Sequence, residues 1–69
     1  MNTFKDRLID EKIQLDEKIS KLEDFVKSEN FKKIEAIQMS LLNIQLNAMH
    51  TYSQCLLERL AWLEAYEEK

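Results

Sequence analysis

In the N-terminal half of the chain, apolar residues recur at alternating steps of four and three. Leu8, Leu15, Ile19, Leu22 and Val26 form the series, and Lys12 is its one polar member. This spacing is the seam of an α-helix packed against another helix at a shallow angle. Ile9, Ile13 and Phe25 widen the stripe. Opposite them, Asp10, Asp16, Glu17, Lys18, Lys21 and Asp24 make a solvated face with charge pairs three or four residues apart. Asn2 or Thr3 caps the start, and Asp6 suits the positive end of the helix dipole. The pattern breaks in the segment VKSENF at 26–31, where Ser28 and Asn30 both favour helix ends. Phe31 and Ile34 predict a short helical turn tucked beneath the break.

A longer helix follows, and its apolar residues fall in two series. Leu42, Leu46, Met49, Leu56, Leu60 and Leu63, with Ser53 among them, are spaced for packing. A second series runs one residue behind: Leu41, Gln45, Ala48, Tyr52, Cys55, Arg59, Trp62 and Tyr66. Neighbouring residues on a helix point about 100° apart, so these are adjoining faces. One is expected to take the first helix; the other stays free for a second subunit or a ligand. The predicted order is helix over about 3–27, a turn with a short helical segment over 28–34, and helix over about 35–66. At a rise of ~1.5 Å per residue the helices span roughly 35 and 48 Å, so an antiparallel first helix covers only part of the second.

Composition narrows the class further. The 69 residues include no glycine, no proline and one cysteine. Tight hairpins and phosphate-cradling loops rely on residues that reach positive φ, so sheets, Rossmann turns and P-loops are disfavoured. A single cysteine excludes an intramolecular disulfide framework, and no Cys/His cluster offers a metal site. A two-helix hairpin of this size struggles to offset an ordering cost of ~1–2 kcal/mol per residue alone. The expected fold is all-α: an antiparallel two-helix hairpin, a single domain, assembling into a homo-oligomeric helical bundle.

Charge bears on partners. Ten basic and thirteen acidic side chains leave a net charge of −3, with no basic stripe for nucleic acid. MNTFKDRLIDEK has charges where a signal peptide is apolar, and no stretch reaches the ~18 apolar residues of a membrane span. The expected location is cytoplasmic. Residues 1–33 hold eight basic and eight acidic groups, whereas the 22 residues Ala36 to Leu57 hold no fixed charge. The outer face of a soluble helix normally has Lys and Glu, so this neutral stretch is expected to meet more than one neighbour.

Chemistry is sparse. His50 and Cys55, the one nucleophile–base pair of the ordinary kind, are five residues apart and point about 140° from each other on a helix. They read better as an interface or ligand-facing histidine and a small buried apolar residue. Glu58 and Glu64 belong to a charged C-terminal run that looks solvated. No enzymatic activity and no cofactor are expected. Arg59 is the first fixed cation after Lys33 and shares a face with Tyr52, Trp62 and Tyr66. It suits either an ion pair, with a first-helix acid or a neighbour's Glu58, or an anion site, since a guanidinium forks onto phosphate oxygens. The aromatic residues suit either oligomer packing or stacking on a nucleobase, with Gln45 and His50 reading base edges.

KLEDFVKSENF at 21–31 and LLNIQLNAMHTYSQCLLERL at 41–60 have a familiar arrangement. A Leu-rich first helix, Phe25, Ser28 and Phe31, then Leu41, Leu42, Gln45, Leu46, Met49 and Tyr52, and finally Arg59 and Leu60, resembles a family of small phage proteins. That family is named after an orphan product of a crAss-like phage, and the resemblance covers about residues 4–63. The family has a polar, acidic turn before its second helix, where this chain has IEAIQMS. The resemblance implies a helical hairpin that assembles with copies of itself in an infected bacterial host. In architecture it is similar to the helical sponges that counter CBASS and Thoeris by holding cyclic-nucleotide messengers without cleaving them. The function expected on that basis is sequestration of a cyclic-nucleotide or cyclic ADP-ribose-type immune signal. Arg59 would face phosphate, Tyr52, Trp62 or Tyr66 the base, and Gln45 and His50 its polar edges. A helical module that inhibits a host protein, or a purely structural oligomeric phage protein, remain the alternatives.

Overall fold

The computed structural model describes residues 3–67 and contains two α-helices joined by a short 3-10 turn. Helix α1 runs Phe4–Val26 and helix α2 runs Ala36–Glu67, with the 3-10 turn over Glu29–Lys33. The chain measures 52 × 20 × 14 Å with a radius of gyration of 15.8 Å. A compact globule of this length would have a radius near ~11 Å, so the hairpin is elongated.

Each boundary has a local cause. The Thr3 hydroxyl accepts from the Asp6 N–H at 3.1 Å, while the Asp6 carboxylate accepts from the Thr3 N–H at 3.4 Å. This reciprocal box satisfies two of the donors that every helix start leaves open. The other cap candidate, Asn2, lies outside the described residues. At the far end, the Ser28 hydroxyl donates to the Phe25 carbonyl at 2.6 Å and the Ser28 N–H to the same carbonyl at 2.9 Å. Ser28 therefore closes α1, and its side chain caps no following helix. No described residue has positive φ, so this chain turns without the left-handed residue that often ends helices. Phe31 meets Phe25 edge to face at 5.9 Å and folds the 3-10 turn against α1. Met39 donates to the Glu35 carbonyl at 3.0 Å as α2 begins, with the Glu35 side chain at the positive end of the helix dipole.

The helices pack antiparallel along the expected seams. Leu56 is fully buried among Leu8, Leu15 and Ile19, and Leu46, Met49, Leu60 and Leu63 flank that cluster. Leu42 is half-buried at the end of the same row. Lys12 and Ser53, the polar members of the two series, meet across the interface at 3.3 Å. Both bind Asp16: the Lys12 ammonium at 2.7 Å and the Ser53 hydroxyl at 2.6 Å. Hydrogen bonding from Lys12 first, then from Ser53, holds the Asp16 carboxyl below its ordinary value. Two expectations need correcting here. Asp16 belongs to the interface rather than the solvated face, because the Lys12 side chain is long enough to draw it there. Ile9 and Ile13 are exposed, since α1 has one neighbour and they lie on the far side of its seam.

Candidate functional site

The α1-facing row of α2 is occupied; the chemistry lies beside it. A groove of about 830 Å³ runs along the C-terminal half of α2 next to the first turns of α1. Phe4, Leu8, Cys55, Trp62 and Leu63 supply its apolar surface, and His50, Thr51, Gln54, Glu58 and Arg59 its polar groups. That size falls within the ~300–1,000 Å³ range of small-molecule sites. The antiparallel packing creates it by bringing the start of α1 against the last turns of α2. Lys5 and Glu64, 3.9 Å apart, mark that juncture.

Arg59 is oriented by an aromatic ring. Its guanidinium carbon lies 5.7 Å from the centre of the Phe4 ring, within range for cation–π attraction. Among the described residues Arg59 makes no ion pair, so neither salt bridge expected for it forms within the chain. A ring on one face leaves the in-plane N–H groups for an acceptor such as phosphate. Trp62 is 67% exposed and packs against Tyr66 at 5.7 Å between ring centres with the planes tilted by 55°. His50 bridges to α1: its Nε2 is 3.1 Å from a Glu23 carboxylate oxygen. Glu58, read from the sequence as simply solvated, stands in the groove wall and accepts from Gln54 at 3.2 Å.

Of the six residues expected to bind a ligand, Arg59, Trp62 and His50 line the groove. Tyr66 extends it through its contact with Trp62. Gln45 and Tyr52 do not line it. Gln45 is fourteen residues before Arg59, ~21 Å along the axis, and its amide instead points to the Met49 sulfur at 3.9 Å. Tyr52 lies two turns from Arg59, where the groove is bounded by His50, Thr51 and Gln54 on the other side of the helix. Cys55 was expected to be buried and is exposed, because its row of α2 faces away from α1. His50 and Cys55 both touch the groove, but the bond that His50 makes is to Glu23. Phe4 escaped the sequence reading: its partner is 55 positions away, and only the register of the hairpin joins them. No group of three metal-ligating side chains occurs among the described residues, and no helix is long and apolar enough to cross a membrane.

The family model for Sequestin matches residues 2–61. This chain belongs to the Sequestin family. No curated protein and no solved structure matches it. The family's name denotes sequestering. In this Sequestin chain the matched stretch contains Phe4, His50, Cys55, Glu58 and Arg59, and it stops one residue before Trp62. The aromatic end of the groove is thus the part of the site beyond the family match.

Proposed function

We propose that this Sequestin chain is a phage anti-defence protein that holds a cyclic-nucleotide or cyclic ADP-ribose-type signal stoichiometrically, without cleaving it. The observation that supports this reading is the meeting of Arg59, Trp62 and His50 in one groove of about 830 Å³. A nucleotide presents a phosphate, a flat base and polar edges; the groove offers a guanidinium, an indole face and an imidazole at matching distances along two helical turns. The groove has no hydrogen-bonded nucleophile–base pair, which suits retention rather than turnover. A sequestering protein gains from affinity alone, because it must hold its signal below the level to which an effector responds. The groove is open to solvent along one side, and a second subunit would cover it.

Native mass spectrometry of the purified protein with a panel of cyclic nucleotides and cyclic ADP-ribose isomers tests this reading. The expected result is a discrete ligand mass in fixed ratio to the chain, released unmodified on denaturation. Arg59→Ala is expected to weaken that binding by roughly 10- to 100-fold, as loss of a charge-assisted contact does, while leaving the helices intact. Trp62→Ala is expected to cost a similar or smaller factor through lost stacking. A panel that leaves the chain unliganded, or a ligand returned hydrolysed, sinks the proposal.

A further inference from the structure

The second face of α2 has no neighbour within the hairpin. Ile37, Leu41 and Ile44 form one end of it and Trp62 and Tyr66 the other. Ile44, Trp62 and Tyr66 are 63%, 67% and 64% exposed, values that suit side chains awaiting a cover. Between the two ends lie the small residues Ala48 and Cys55, also exposed, with Tyr52. At the roughly 150–250 Å² presented by an aromatic side chain, and somewhat less by Ile and Leu, the exposed part of this face amounts to on the order of 700 Å². A lone soluble domain seldom exposes more than ~300–600 Å² in one apolar patch. Each partner in a specific complex contributes about 800 Å².

We infer that this face is the contact between two copies of the chain, laid antiparallel about a two-fold axis near the middle of α2. The pattern is self-complementary about a point between Thr51 and Tyr52. Reversal about that point sets Ile37 against Tyr66, Leu41 against Trp62, and Ala48 against Cys55. Large meets large at the ends, and small meets small at the centre, where the backbones approach. Charge selects the same direction. Arg59 is the one fixed charge on this face, and a parallel pair would set two guanidinium groups side by side in an apolar seam. Antiparallel pairing separates them by fifteen residues, ~22 Å along the axis, and opposes the helix dipoles favourably. The neutral run from Ala36 to Leu57 supplies no charge with which to select a different protein. A second copy is therefore the occupant that the face fits. This inference does not require the nucleotide reading, although it supplies the second subunit that would cover the groove.

Two ligand-free measurements test it. Sedimentation equilibrium at tens of micromolar is expected to give twice the chain mass; a monomer there overturns the proposal and leaves the face to a different protein. Ala48→Glu, at an exposed position, is expected to keep the helical circular dichroism and to weaken dimerisation at least tenfold. An unchanged dimer overturns the choice of face. Ala48→Cys keeps a small side chain and reads direction independently of that variant. Mild oxidation is expected to join position 48 of one chain to Cys55 of the other. In the wild type the two Cys55 sulfurs are staggered by seven residues, ~10 Å, beyond disulfide reach. Links of 48 to 48 or 55 to 55 overturn the antiparallel arrangement. Since none of these readouts involves a nucleotide, failure of the sponge reading leaves them unaffected.

Discussion

The two long faces of α2 differ in what they have already found. On the α1-facing side every feature has a partner: Leu56 sits among Leu8, Leu15 and Ile19, and the polar Ser53 meets Lys12 and Asp16. About 100° around the helix, residues of the same apolar character face solvent, with Arg59 resting on Phe4 and Trp62 on Tyr66. The first face holds one chain in shape. The second has spare chemistry, and spare chemistry on a stable support is where recognition resides. The contrast also shows why a four-residue core can suffice: a second copy would add the burial that the hairpin lacks.

Substitutions can break or sharpen this contrast. Leu56→Ala is expected to have the largest effect, about 2–5 kcal/mol in urea denaturation, because it empties the centre of the core. Its cost should hold at every protein concentration. Ile44→Ala, on the open face, should cost stability only as association sets in, so its effect should grow with concentration. Equal, concentration-independent costs would abolish the distinction between the faces. Next in size is Ser53→Ala, expected to cost about 1–2 kcal/mol by removing hydrogen bonds to a partly exposed ionised pair. Thr3→Ala should cost about 1 kcal/mol through loss of the cap, visible as fraying of the first turn by hydrogen exchange. The smallest change is expected from Phe4→Leu, about 0.5–1 kcal/mol, read as weaker nucleotide binding with unaltered melting.

Acid provides a further probe of the closed face. Asp16 titrates below its ordinary value of 3.8 when folded, so its contribution is complete above the ordinary carboxylate range. That contribution is lost as the pH falls through the lowered folded value, where the proton binds and the Lys12 and Ser53 contacts weaken. Melting temperature measured against pH should therefore fall on the acid side, and Asp16→Asn should flatten that limb. A limb of the same steepness in the variant would assign the acid sensitivity to other carboxylates.

How much of this could be read in advance follows from which features are local. Two helices and the turn between them are local properties of a 3.6-residue repeat interrupted at VKSENF, and they were legible. So was the grouping of Arg59 with Trp62, since residues three apart on a helix are neighbours whatever the tertiary fold. Register was not legible, because a repeat of alternating fours and threes looks the same after a shift of seven. Consequently the meeting of Lys12 with Ser53 was missed, although each stood out in its own series, and so was the meeting of Phe4 with Arg59. Cys55 was misjudged for a different reason. Cysteine is buried on average, and its position on the open row of α2 outweighs that tendency.

The Lys12–Asp16–Ser53 cluster has a consequence for how the molecule reaches this state. A slide of α1 by one heptad in either direction would place Lys12 opposite Leu46 or Leu60 and strip its ammonium of the serine. Each misaligned hairpin would then hold a charged group against leucine, while the correct one satisfies all three polar side chains at once. The cluster acts as a proofreading mark on a seam whose leucines would accept several alignments. A chain too short to survive much misfolding thus has its wrong answers penalised before the helices close.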